Sequence, residues 1–133
     1  MKLIEKVHAY RALTEMMKAD WEFSFIYPLV CLMQELKADY EFFCREEMKL
    51  AARFGKKDED GLVTIDETGY FRFSDEESRE EYQRRHLDLE ETEAAECSRR
   101  VLPMPRSVRG EWLKALLPFC DFRQEDATDG TIA

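Results

Sequence analysis

Between Trp21 and Gly55 the apolar residues Leu29, Met33, Leu36, Tyr40, Phe43, Leu50 and Phe54 recur at alternating three- and four-residue intervals, with Glu47 the one polar intruder. Such spacing over more than three turns specifies a helix with a seam packed against another helix. A helix of that length in a chain of 133 residues obliges every other element to pack along it. Pro28 complicates its beginning, because proline is tolerated in a first helical turn but costs about 3 kcal/mol in an interior. The main helix is therefore expected to start or to kink at Pro28, with Trp21, Phe23 and Phe25 burying the connection before it. Gly55 is expected to end it as a helix-terminating glycine, leaving KKDEDG as a solvated loop.

Leu3, Val7, Tyr10, Leu13 and Met17 form one stripe of a first helix, and Asp20 is a suitable N-cap for the next. After the loop, residues 61 to 73 read as a β-hairpin. If Glu67, Thr68 and Gly69 form a three-residue loop closed by Gly69 at positive φ, then Asp66 faces Tyr70, Ile65 faces Phe71 and Val63 faces Phe73. That register places Val63, Ile65, Phe71 and Phe73 on one face. It is preferred over a four-residue loop, which would set Arg72 beside Val63, because a one-residue slip moves the apolar set off the core. Ser74 and Glu77 read as a capping box for a third helix from Asp75 to about Leu89, whose apolar face is thin: Tyr82, Leu87 and Leu89. Residues 90 to 102 lose helical period and allow one further short strand. Ser107 then caps a last helix with Val108, Trp112, Leu113, Leu116 and Leu117, stopped by Pro118. The fold class expected is α+β and mostly helical: an antiparallel helical core, one β-hairpin at about 61–73 and room for a third short strand. Residues 1–122 form one compact domain, and 123–133 are expected to be a disordered acidic tail. No internal repeat is evident.

The opening MKLIEKVHAY lacks the apolar core of a signal peptide, and FSFIYPLVCLM is too short and too interrupted to span a bilayer, so a cytoplasmic location is expected. Cys31, Cys44, Cys97 and Cys120 are scattered, with only His8 and His86 to assist, which argues against zinc and for buried free thiols. Cys31 and Cys44 lie in one predicted helix, about 20 Å apart at 1.5 Å per residue, too far for a bridge. No nucleophile, phosphate-loop or metalloprotease motif is present. The chain is therefore read as no enzyme, with no catalytic, cofactor-binding or metal-binding residues and no cofactor.

Charge is the remaining signal. The net charge is −9, and residues 56 to 100 carry fifteen acidic and eight basic side chains. Direct nucleic-acid binding is disfavoured by that balance. Arg99, Arg100, Arg106, Arg109 and Lys114 do cluster near Trp112, but they read as cations along a late helix with Trp112 buried. Nine carboxylates around the hairpin and third helix, Asp58, Glu59, Asp60, Asp66, Glu67, Glu76, Glu77, Glu80 and Glu81, are the candidate partner-binding residues. They suit either solubility or presentation to a basic partner.

Three stretches carry a resemblance: LMQELKADYEFFCREEMKLAARFGKKDEDG, TGYFRFSDEESREEYQRR and SVRGEWLKALLPFCDF. Over about residues 28 to 122 the chain resembles a family of small uncharacterised proteins from siphophages and prophages of Gram-positive bacteria. It departs from them at its aromatic opening, WEFSFIYP. The resemblance implies a bacteriophage origin in a bacterial host cell and brings no catalytic residues with it. With the acidity and the missing chemistry, it leads to the expectation of a protein-binding inhibitor of a host defence enzyme. That inhibitor would be anti-CRISPR-like, blocking an effector nuclease through a DNA-mimicking acidic face. The alternative is a virion or assembly accessory of the tail or connector. The expected partner is a protein, with a host nuclease as the candidate and no membrane involved; the oligomeric state is left open.

Overall fold

The computed structural model describes residues 1–123. Four helices, α1 (Leu3–Met16), α2 (Phe23–Phe54), α3 (Glu76–Glu90) and α4 (Gly110–Leu116), are joined by one small sheet of β1 (Arg100–Pro103) and β2 (Cys120–Arg123). The class is α+β and mostly helical. The tail expected from 123 onward lies outside the described residues except for Arg123, which belongs to β2.

Helix α2 is the spine. It begins ahead of Pro28, which sits inside it in the second turn. A proline there removes the amide that would bond the Ser24 carbonyl, but Ser24 is exposed, so water can take that place. The five extra residues bring Phe25 into the core with Leu29 and Leu32, and burying a phenylalanine stabilises by about 1.5–3 kcal/mol. The connection is consequently not buried as a unit: Phe25 is enclosed and Trp21 half-buried, whereas Phe23 points into solvent. Asp20 does not cap the helix; Glu22 occupies that position without a side-chain cap.

Helix α1 runs antiparallel to α2. Its early residues Leu3 and Val7 join Phe43 and Leu89 in one cluster, and its later residues Leu13 and Met16 join Leu29 and Leu32 in another. Between the two clusters the Lys6 ammonium, 4% exposed, donates to Asp39 Oδ2 at 2.8 Å. Tyr10 stacks on Tyr40 with ring centroids 4.2 Å apart. Helix α3 returns antiparallel along the C-terminal half of α2, with Leu89 near Phe43 and Arg85 over the Phe54 ring at 5.7 Å. Its N-cap is Asp75, one residue beyond the expected Ser74, and the Asp75 carboxylate accepts from Ser78 N at 2.7 Å. Leu87 is exposed and Leu89 buried, so the thin apolar face is thinner still.

The stretch between α2 and α3 corrects two expectations. KKDEDG is no plain loop, and an internal repeat does exist. Asp58-Glu59-Asp60-Gly61 and Asp66-Glu67-Thr68-Gly69 build the same turn eight residues apart. In the first, Asp58 Oδ1 accepts from Asp60 N and Leu62 N, and Asp58 N donates to Leu62 O. In the second, Asp66 Oδ1 accepts from Thr68 N and Tyr70 N, and Asp66 N donates to Tyr70 O. Gly61 and Gly69 have φ of 80° and 90°. The three segments the turns connect close on themselves: Lys56 N–H donates to Arg72 O (2.7 Å), Arg72 N–H to Thr64 O (2.9 Å) and Thr64 N–H to Lys56 O (2.8 Å). A lone hairpin is marginal in water, and this third segment supplies the missing support.

The three-residue loop and the Ile65–Phe71 pairing hold, but the bridges are isolated and form no continuous ladder, and Val63 bridges Lys57 instead of Phe73. Phe71 and Phe73 pack on Tyr82 at 5.9 and 5.2 Å. Ile65 is exposed, against expectation. The first six residues of α3, Glu76 to Glu81, are all polar, so nothing apolar ahead of Tyr82 is there to receive it. Gly55 is extended (φ −72°, ψ 151°), so it is not the left-handed terminator expected. Its role is steric, since a Cβ there would lie 2.5 Å from the Ala51 carbonyl oxygen and 2.7 Å from Val63 Cγ1.

The repeat yields a direct prediction. A side chain at Gly61 or Gly69 meets no atom within 4 Å, so only the left-handed backbone opposes it. Gly61→Ala and Gly69→Ala should each lose about 1–2 kcal/mol in urea unfolding. A free substitution at one site and a costly one at the other would show that the turns are not equivalent.

The C-terminal part is a parallel β-α-β crossover, which the periodicity did not reveal. Arg100 pairs with Cys120, Val101 with Asp121, Leu102 with Phe122 and Pro103 with Arg123. The extended segment expected after residue 90 is therefore β1, and its partner is β2. Helix α4 begins at Gly110 with Arg109 as N-cap, later than the expected Ser107, and Leu117 is left exposed. Leu102, Leu116, Phe119 and Cys120 close the core against α1 and α2. All four cysteines are free, but only Cys120 is fully buried. Burial pushes its thiol up to about 11.

Candidate functional site

The nine expected carboxylates divide by what they already hold. Asp58 and Asp66 lock the two turns. The Asp66 carboxyl is held below its ordinary range first by the Thr68 hydroxyl and then by the Tyr70 and Thr68 amides. Glu81 accepts from Arg84 and Arg85, which draw its carboxyl down to about 2, and Glu76 lies 3.6 Å from Arg79. Glu59, Asp60, Glu67, Glu77 and Glu80 are exposed and, among the described residues, engage no cation. Of the nine, these five are open to a partner.

The same region encloses a cleft of about 1080 Å³ between the second turn and α3. Of the nine, only Asp66 and Glu76 line it, and Lys56, Arg72 and Arg79 line it too. The negative charge therefore lies on the turn tips and the outer side of α3, while the cleft is mixed in sign.

Sequence reasoning overlooked the most ordered polar group here. His86 Nε2 is 2.7 Å from Glu47 Oε2, and Nδ1 is 2.7 Å from Glu90 Oε1. The ring lies edge-on to Phe43 at 5.7 Å and stacks on Tyr82 at 5.5 Å. Each ring nitrogen thus has a carboxyl group as its hydrogen-bond partner, one from α2 and one from α3. Neither nitrogen is free to act as a base or a metal ligand. Burial, and then the charges of Glu47 and Glu90, push the Tyr82 hydroxyl up to about 12. The group is a polar pin joining α2 to α3. It explains Glu47, the intruder in the α2 seam, which was the one sequence signal that could have found it.

The late basic cluster is mostly structural. Arg99 donates to the Leu117, Pro118 and Cys120 carbonyls and pairs with Asp121 at 2.7 Å. Arg100 pairs with Glu35, and Arg109 lies over the half-buried Trp112 ring at 5.1 Å. Among the described residues no group of three or more His, Cys, Asp or Glu side chains is arranged to hold a metal ion. No helix there is long and apolar enough to cross a membrane. No family model, curated protein or solved structure matches the chain.

Proposed function

We propose that this chain is a non-enzymatic protein-binding module of phage origin that inhibits a host defence enzyme by occupying a basic, nucleic-acid-binding surface, with a CRISPR effector nuclease as the target. The observation that carries the reading is the set of five uncompensated carboxylates, Glu59, Asp60, Glu67, Glu77 and Glu80, on a backbone that is already ordered. Each turn is closed by its own aspartate and α3 is capped by Asp75, so little ordering remains to oppose association. Opposite charge on the partner accelerates encounter and selects against acidic or neutral surfaces.

The test uses the purified nuclease and a DNA-cleavage assay. Reversing Glu59, Glu67, Glu77 and Glu80 to lysine should weaken association at least about tenfold and restore cleavage. The thermal melt should fall only slightly, because only Glu77 of these residues sits in the first turn of α3, where losing an anion costs up to about 1 kcal/mol. Association of the wild-type chain should also fall steeply as salt rises, since exposed charges are screened over about 8 Å at physiological ionic strength. Cleavage unaffected by saturating wild-type chain would remove the nuclease as target. Binding indifferent to both salt and charge reversal would reduce the acidic surface to a solubility feature.

A further inference from the structure

One exposed aromatic pair lies away from the acidic turns. Phe23 and Tyr27, one turn apart at the start of α2, are 75% and 56% exposed, and their rings stack at 5.4 Å and 22°. Packing cannot be their role, because they face water. Their support is rigid: Trp21 donates from Nε1 to Met16 O at 2.7 Å, and its ring meets Phe25 and Trp112. Asp20 and Glu22, just ahead of Phe23, are exposed and without a cation among the described residues. Phe23, Asp20 and Glu22 line one wall of a groove of about 840 Å³ whose other wall is Pro103, Met104, Pro105 and Arg106, with Tyr27 outside its lining.

We infer that this patch receives an arginine side chain from the protein partner, with the guanidinium laid on the Phe23–Tyr27 stack and turned toward Asp20 and Glu22. The inference rests on the reading of the chain as a binder of a basic protein. Aromatic faces attract cations, and the planar guanidinium adds stacking and a forked set of donors suited to carboxylates, which an ammonium lacks. The groove's own cation, Arg106, stands on the far wall and directs an incoming charge toward α2. Charge also excludes the chain's own continuation as occupant. The residues after Arg123, QEDATDGTIA, carry three carboxylates and no cation.

The probe is the peptide acetyl-Gly-Arg-Gly-Arg-Gly-amide, titrated into the full chain and followed by aromatic carbon–proton NMR. Lysine and citrulline versions serve as comparisons, and a second titration uses the Phe23→Ala/Tyr27→Ala chain. The largest shifts should fall on the Phe23 and Tyr27 rings. Affinity should rank arginine above lysine above citrulline, and the double alanine variant should lose about tenfold. The Glu59, Glu67, Glu77 and Glu80 reversal should leave this binding in place, so failure here is separable from failure of the acidic surface against the nuclease. Equal binding of the citrulline peptide would overturn the inference, as would shifts confined to residues 58–67 and 76–81. So would a change at Phe23 and Tyr27 on dilution, which would make the occupant a second copy, or on truncation after Arg123, which would make it the tail.

Discussion

Replacing Phe43 with alanine should destabilise the protein by about 3–5 kcal/mol, the range for a phenylalanine truncated in a closed core. Phe43 is 1% exposed and sits where three helices meet, against Leu3 and Val7 of α1, Leu89 of α3 and the edge of the His86 ring. These neighbours hang on separate helices tied by hydrogen bonds, including the His86 pin, so they cannot collapse into the space vacated. The neighbouring Phe42 provides the control. It is 41% exposed, and Phe42→Ala should cost less than about 1 kcal/mol. Urea unfolding measures both. Equal losses at the two positions would mean that α3 does not cover α2 as described.

The second large effect is an asymmetry. Asp39→Ala should cost about 3 kcal/mol, because it strands the Lys6 ammonium in a site that is 4% exposed. Glu35, whose carboxyl feels the Lys6 charge, holds the cost at the low end of the 3–5 kcal/mol seen for a broken buried pair. Lys6→Met should cost far less and could stabilise, since methionine has similar length and no charge to desolvate. Asp39, with its side chain 39% exposed, then turns to water. A double-mutant cycle should therefore show that most of the Asp39→Ala loss vanishes in the Lys6→Met background. Additive losses would mean that the two side chains do not interact.

What could be read before the fold was known depended on the range of the interaction. Helices α1 and α2 announce themselves because their apolar periods are local and long. The second turn was legible down to its pairing, because Gly69 and the flanking Ile65 and Phe71 lie within a few residues of one another. The first turn was not, although its Asp-Glu-x-Gly frame is the same, because its flank is Lys56 and Lys57 instead of apolar residues. Helix α2 starts earlier than Pro28 suggests because burial of Phe25 outweighs a local backbone penalty. Strands β1 and β2 are four residues each, too short for a period, and their partnership crosses a helix. At the candidate site the carboxylates could be counted, but their engagement could not. The Glu47–His86 contact spans 39 residues, and Glu81 looks like its neighbour Glu80 until Arg84 and Arg85 close on it.

The closed ring of Lys56, Thr64 and Arg72 bears on how this protein avoids sticking to others. All six main-chain polar groups of those residues are spent on one another. A strand that leaves such groups open is a template on which a foreign chain can lengthen the sheet, and that is a common route to aggregation. Those six groups offer no such template, even though Leu62, Ile65 and Tyr70 around them are exposed and β-favouring. At these three residues an approaching molecule meets side chains, where a single reversed charge can be felt, and finds no main-chain group on which to add a strand.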